Sequence, residues 1–530
     1  MTASVDPQHL RAMLEDGREL ALLDVREELI YSQNHLLHAR SAPLSRLELR
    51  VPALVPRRGT PIVLCDDDET LGARAAAVLA RYGYSDVSIL RGGVPGWAKA
   101  GYELFSGVFV PSKAFGEFVE HDSGTPSIEP RELERLLRGK ADLVVLDSRP
   151  FDEYAKMNIP TGIDVPGAEL VLRARDLAPS PDTMIVVNCA GRTRSIIGAQ
   201  SLINAGVPNK VVALRNGTMG WNLAGFTCES GQGRRAPPPS PEGLAWAQQA
   251  AARVADTYGV RRLDRDGLRR FQAEAGERTL YLFDVRDPDE YRAGHVPGAV
   301  SAPGGQLVQA TDQYVGTLGA RIVLVDDAAV RALMTASWLR QMGWRDVFVL
   351  AERGTETGMP APPVLGEVDR PEIRIDAAAL RGLLDPGAAT VIDLSPSRAF
   401  RAGHIPGAWF AIRSRLAKAL PKITVSGTIV LTSEDGVLAS LAVDEARALS
   451  AAPVRCLAGG NAAWTRAGYP VETGDVRMAD EPVDVWLKPY ERAAGISAAM
   501  QDYLAWEIDL IDRIKRDGTC HFLPRAVQER

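Results

Sequence analysis

Short runs of aliphatic and β-branched residues alternate with longer stretches of helical periodicity throughout this chain. Met184-Ile-Val-Val-Asn188 has the composition of a buried strand, and Ser195–Ile203 places Ile196, Ala199 and Ile203 on one helical face. Between them, Cys189-Ala190-Gly191-Arg192-Thr193-Arg194-Ser195 forms a strand-to-helix turn. Four apolar runs close on an aspartate: Leu-Leu-Asp24-Val-Arg26, Val-Leu-Asp147-Ser-Arg149, Leu-Phe-Asp284-Val-Arg286 and Val-Ile-Asp393-Leu-Ser395. Eleven residues after these aspartates stand His35, Asn158, His295 and His404. The chain therefore repeats one unit four times.

A second spacing sets the units against one another. Trp97, Trp221 and Trp464 lie 32 residues after Cys65, Cys189 and Thr432, and each precedes a glycine–aromatic pair: Gly101-Tyr102, Gly225-Phe226 and Gly468-Tyr469. This count puts Cys65 and Thr432 at the position of Cys189, and alignment of Ile322-Val-Leu-Val325 with Ile62-Val-Leu-Cys65 adds Val325, with Thr357 at the tryptophan position. Units of roughly 100 residues that alternate strand and helix predict an α/β fold. Four tandem domains follow, each a parallel sheet flanked by helices, over 1–107, 126–232, 242–366 and 372–476. Ala236-Pro-Pro-Pro-Ser-Pro241 and Pro360-Ala-Pro-Pro363 mark boundaries, and 108–125 is a connector packed on its neighbours. In a helical tail, 477–530, the residues Ile496, Met500, Tyr503, Leu504, Ile508, Ile511 and Ile514 trace an apolar stripe. The stripe predicts a helix that covers a domain face; a homodimer contact is its other reading.

Of the 530 residues 46% are hydrophobic and 24% charged, enough for several buried cores without disulfides. Five cysteines without paired spacing and no signal-like N-terminus predict a reducing, cytoplasmic location. No apolar run reaches the roughly 18 residues of a membrane span. The net charge of −6, with arginines interspersed among acids, gives no nucleic-acid surface. Cys520-His521 is too sparse for a metal site.

The Cys189 turn carries the chemistry. A cysteine just before a helix meets unpaired N–H groups and the positive end of the helix dipole, which favour a thiolate. Arg192 and Arg194 add fixed charge and forked donors for an oxyanion. Cys65, followed by Asp66-Asp-Asp-Glu69, faces acids that oppose both ionisation and an anionic donor. Asp284, Arg286, His295 and His404 are read as residues that hold the fold, and Cys456 as core.

The Asp-x-Arg strand end, the turns His295-Val-Pro-Gly-Ala299 and His404-Ile-Pro-Gly-Ala408, the cysteine loop and the Gly-Gly…Trp ending together resemble the rhodanese domain. The resemblance covers most of the chain and extends to sulfurtransferases with four such domains in tandem. It implies a double displacement that needs no cofactor or metal. Cys189 attacks the outer sulfur of thiosulfate or a similar persulfide donor and passes that sulfur to cyanide or a thiol. In this scheme Arg192 and Arg194 hold the donor, Ala190, Gly191, Thr193 and Ser195 complete the substrate loop, and Asp147 and Arg149 form a supporting ion pair. Trp221 packs rather than binds. Thiolate phosphatases, the rival class, use Cys-x5-Arg, whereas Cys189 and Arg194 give Cys-x4-Arg; a persulfide carrier or scaffold is the other alternative. A neighbouring domain is expected to narrow access to Cys189.

Overall fold

The computed structural model describes residues 3–385 and 387–523, so the last seven residues of the predicted tail lie outside the described residues. The described residues form four sheets. In the second unit the strands run side by side as Ser127–Ile128, Val211–Leu214, Met184–Asn188, Leu143–Asp147 and Ile163–Asp164, all parallel. The third and fourth units repeat this order. The central strands are apolar on both faces because helices cover both, as parallel sheets require. The first sheet gains a strand from the third unit: Thr317–Leu318 pairs antiparallel with Leu20 and Ala21.

Sheet register corrects one sequence expectation. Asp24 pairs with Cys65, Asp147 with Asn188, Asp284 with Val325 and Asp393 with Thr432. Cys65, Val325 and Thr432 therefore correspond to Asn188, not Cys189. The counterparts of Cys189 are Asp66, Asp326 and Ser433. Backbone bonding agrees: the carbonyls of Asp66, Cys189 and Ser433 accept from Val94, Thr218 and Asn461 at 2.7, 2.8 and 2.8 Å. The slip arises because the turn from Gly206 to strand Val211–Leu214 is one residue longer than that from Gly83 to Val87–Leu90. Counting back from tryptophan imports the extra residue. A one-residue shift along a strand sends a side chain to the other face. Cys65 accordingly lies fully buried in the core with Leu20, Leu22 and Trp97, and burial pushes its thiol pKa well up.

The repeated histidines are interior. His35, His295 and His404 stack on Tyr31, Tyr291 and Phe400 with centroids 4.1, 3.9 and 3.7 Å apart. Trp97, Trp221 and Trp464 are buried, and each donates Nε1–H to the carbonyl six residues on.

The units also pack through side chains: unit three meets unit one where Thr279 N donates to Glu19 Oε1 at 2.7 Å. Units one and four join through Arg413, whose two terminal nitrogens donate to the two oxygens of Glu48 at 2.8 Å. Units two and three meet where a Cβ on Gly305 would come within 2.9 Å of the Gly167 nitrogen, so the backbones touch. Arg331 of unit three reaches Glu169 of unit two at 2.9 Å, and Trp338 Nε1 donates to Ser201 Oγ at 2.8 Å. Replacing Ser201 by alanine leaves that indole N–H buried without an acceptor. A loss of about 1–3 kcal/mol is expected, seen as a lower urea midpoint by tryptophan fluorescence.

The connector 108–125 contains a helix, Val110–Ser123, packed on both helix Thr193–Ala205 and the long tail helix Ile496–Asp517. The tail helix buries Met500, Leu504, Glu507, Leu510 and Ile514, whereas Ile496 and Ile508 of the predicted stripe are exposed. Its inner face is rotated from the predicted one because Glu507 turns inward to meet Lys113 at 2.8 Å.

Candidate active site

Cys189 ends the strand Met184–Asn188 and precedes helix Thr193–Ala205. Its position is fixed from behind. Asn188 Nδ2 donates to Asp147 Oδ2 at 2.9 Å, and Arg149 closes a buried pair on Asp147 through Nε and Nη2 at 2.8 and 2.7 Å. The loop carbonyls are held from the front: Thr218 N donates to Cys189 O and Met219 N to Ala190 O at 2.8 and 3.0 Å. This approach needs glycine at 217, where φ is +55° and a Cβ would overlap the Cys189 carbonyl. Cys189 Sγ lies 3.5 Å from Ser195 Oγ, which itself donates to Arg192 O at 2.7 Å.

Cys189 is only 2% exposed, at the floor of a cavity of about 270 Å³. Ala190, Gly191 and Arg194 share that floor. The third unit contributes Gln306, Gln309 and Gln313, the connector helix Lys113, and the tail Trp486, Lys488, Tyr490 and Tyr503. Of these, Tyr503 belongs to the predicted apolar stripe of the tail; the glutamines, Trp486, Lys488 and Tyr490 were not singled out from sequence. Lys113 is held by Glu507 and Tyr503; burial alone would pull its ammonium down, but these partners push its pKa up.

The two loop arginines separate. Arg194 faces the cavity, donating from Nη2 to Glu153 Oε2 at 2.8 Å and from Nη1 to Gln306 Oε1 at 3.1 Å. Lys488 Nζ reaches the other oxygen of Glu153 at 3.0 Å. Burial opposes both ionised forms, but the mutual charges win. Arg194 is raised, by Glu153 and by the Cys189 sulfur, and Glu153 is held far below the usual carboxylate range. Arg192, expected beside it, turns instead to the connector helix, where Glu117 takes Nε and Nη2 at 2.7 Å each and Glu120 also pairs with Nη2. Two carboxylates outcompete the solvent-lined cavity for this guanidinium. Thr193 likewise packs away from the cavity, against Gly116.

The other three loops show what this turn does to a side chain at the cysteine position. The Asp66 carboxylate accepts N–H from Glu69, Leu71 and Gly72 at 2.7, 2.7 and 3.0 Å. The Asp326 carboxylate accepts from Arg331 and Ala332 at 2.8 and 3.3 Å, and from the Arg331 side chain. Ser433 Oγ accepts from Ala439 at 3.3 Å. The N–H groups five and six residues on thus converge on the side chain at this position. In the second unit they belong to Arg194 and Ser195.

The profile of the rhodanese-like domain family matches residues 6–100, 129–224, 268–352 and 376–467. The chain belongs to the rhodanese-like family. Over 98% of its length, and 99% of the other chain, it is similar at 50% identity and a TM-score of 0.95 to the crystal structure of a thiosulfate sulfurtransferase from Pseudomonas aeruginosa. Single-domain matches include a probable adenylyltransferase/sulfurtransferase, MoeZ, of Mycobacterium tuberculosis, 33% identical over 98 residues. That match covers 18% of this chain and a quarter (25%) of the relative's length. A sulfurtransferase of Allochromatium vinosum is 29% identical over 107 residues, 20% of this chain and 95% of the relative. Among the described residues of this rhodanese-like chain no helix is long and apolar enough to cross a membrane.

Proposed function

We propose that the protein is a sulfurtransferase working through a persulfide on Cys189. The observation that carries this reading is the anion cradle: at the same position in two sister loops a carboxylate sits on the N–H groups that a Cys189 persulfide would meet. A terminal sulfur one bond beyond Sγ carries its negative charge where those carboxylates carry theirs. Backbone donors aimed at a charge that develops during reaction need no reorganisation.

With thiosulfate as donor, the Cys189 thiolate attacks the outer sulfur and forms a new S–S bond. The original S–S bond breaks, and its electron pair leaves with sulfite. Arg194 and Lys488 face the departing sulfonate, while the N–H groups of Arg194 and Ser195 hold the anionic outer sulfur. In the second half-reaction cyanide or a thiolate attacks that sulfur, the Cys189–sulfur bond breaks, and the thiolate is restored. Thiosulfate is the favoured donor because the relative matching almost the whole chain is a thiosulfate sulfurtransferase. Five free thiols fit a reducing compartment.

Incubation with excess thiosulfate is expected to add the mass of one sulfur atom to the intact chain. Peptide mapping should place it on Cys189, with Cys65 unmodified, and cyanide should discharge it as thiocyanate. No mass gain, or a gain mapping to another cysteine, rejects the proposal.

A further inference from the structure

A second cavity, of about 400 Å³, lies where the first unit, the third unit and the end of the tail meet, away from Cys189. This volume is in the range of small-molecule sites, about 300–1,000 Å³. Its walls are strongly cationic. Arg40 is 3% exposed, and among the described residues its guanidinium donates to the carbonyls of Val315 and His38. Arg340 donates from Nη1 to the Arg345 carbonyl, and its buried Nε has no partner among the described residues. Arg345 itself is exposed at the rim, with no acceptor for its guanidinium among the described residues.

The acids nearby do not neutralise these three. Glu15 is taken by Arg11 at 2.6 Å, and Asp346 by Arg261 and Arg278. The remaining basic pair, Arg18 with Asp16, closes on itself at 2.7 Å. Among the described residues lining the cavity, Asp312, beside Arg40, is the one acid left to set against the three guanidiniums, which leaves a surplus of positive charge. Its remaining wall sets the apolar and aromatic side chains of Met13, Trp344 and Phe522 beside the polar ones of Thr311, Thr519 and His521. Forked guanidiniums beside a flat apolar wall match an anionic group carried on a flat ring.

We infer that this cavity binds a small organic anion of nucleotide type, with a phosphate on Arg340 and Arg345 and a planar body against Trp344. The site is independent of the sulfur chemistry, so its test does not depend on that reading. Adenosine monophosphate, inorganic phosphate and adenosine serve as probes in calorimetric titration of the full chain. Saturable binding of the monophosphate is expected, with weaker binding of phosphate and of adenosine. Arg340→Gln and Arg345→Gln should each weaken it about tenfold or more, the worth of a charge-assisted hydrogen bond. Arg345 lies at the surface and holds no fold contact through its guanidinium, so that variant reports on binding even where Arg340→Gln perturbs packing. No saturable monophosphate binding, equal affinity in the Arg345→Gln chain, or adenosine or phosphate alone binding as tightly as the monophosphate overturns the inference.

Discussion

Cys189→Ser is expected to lower thiosulfate:cyanide turnover by about 10⁴-fold or more, while Cys65→Ser leaves it within about twofold. Removing an enzyme's covalent nucleophile costs this order of magnitude or greater, and serine cannot form the persulfide. The contrast with Cys65 follows from register. Cys65 Sγ points into the core and lies 3.6 Å from the Leu23 carbonyl, on the strand position of Asn188. No donor can reach it, and burial keeps the thiol protonated. A hydroxyl there is expected to cost about 1–3 kcal/mol of stability, so Cys65→Ser should melt earlier yet turn over normally. Steady-state thiocyanate formation and thermal melting of both variants check the pair; equal losses of turnover would place Cys65 in the chemistry.

The four-fold repeat was legible because the features that mark it are required by the fold itself. Asp24, Asp147, Asp284 and Asp393 end the strand that pairs with the loop strand, and the three tryptophans fill the same core position. Cys189, Gly191 and Arg194 were legible because a strand-to-helix turn fixes them locally. The register of Cys65 was misread because the count ran through the turn at 206–210. Counting forward from aspartate gives 41 residues to both Cys65 and Asn188 and avoids it. That a neighbouring domain would narrow access to Cys189 was expected, but most residues of the cavity walls could not be read. Gln309 and Lys488 come to the Cys189 cavity by packing of distant segments, and nothing local in their sequence marks that meeting. Nor did the identities of Asp66 and Asp326 suggest an inactive loop that still holds an anion; that emerged only from where their carboxylates accept hydrogen bonds.

The separation of Arg192 from Arg194 has a simple geometric source and a large expected consequence. Residues two apart on a helix do not face one another, since each residue advances about 100°. As the first turn of helix Thr193–Ala205 begins, one guanidinium must leave the cavity if the other enters. Arg194→Met is therefore expected to lower kcat/KM for thiosulfate by about 10²–10³-fold, the range for losing one preorganised charge donor. The loss should fall on the sulfite-releasing half-reaction, because the N–H of residue 194 remains to hold the persulfide. Arg192→Met removes a charge from a buried pair with Glu117 and should destabilise by about 3–5 kcal/mol, while leaving the donor half-reaction of the folded fraction within a few-fold. Single-turnover persulfide formation by stopped flow, set beside urea unfolding of each variant, separates the two roles. A donor half-reaction slowed equally by both substitutions would put Arg192 back in the substrate site. The measured asymmetry would instead make Arg194, held by Glu153 of its own unit and by Gln306 of the third, the point at which a unit without a thiol at this position acts on the chemistry of the one that carries it.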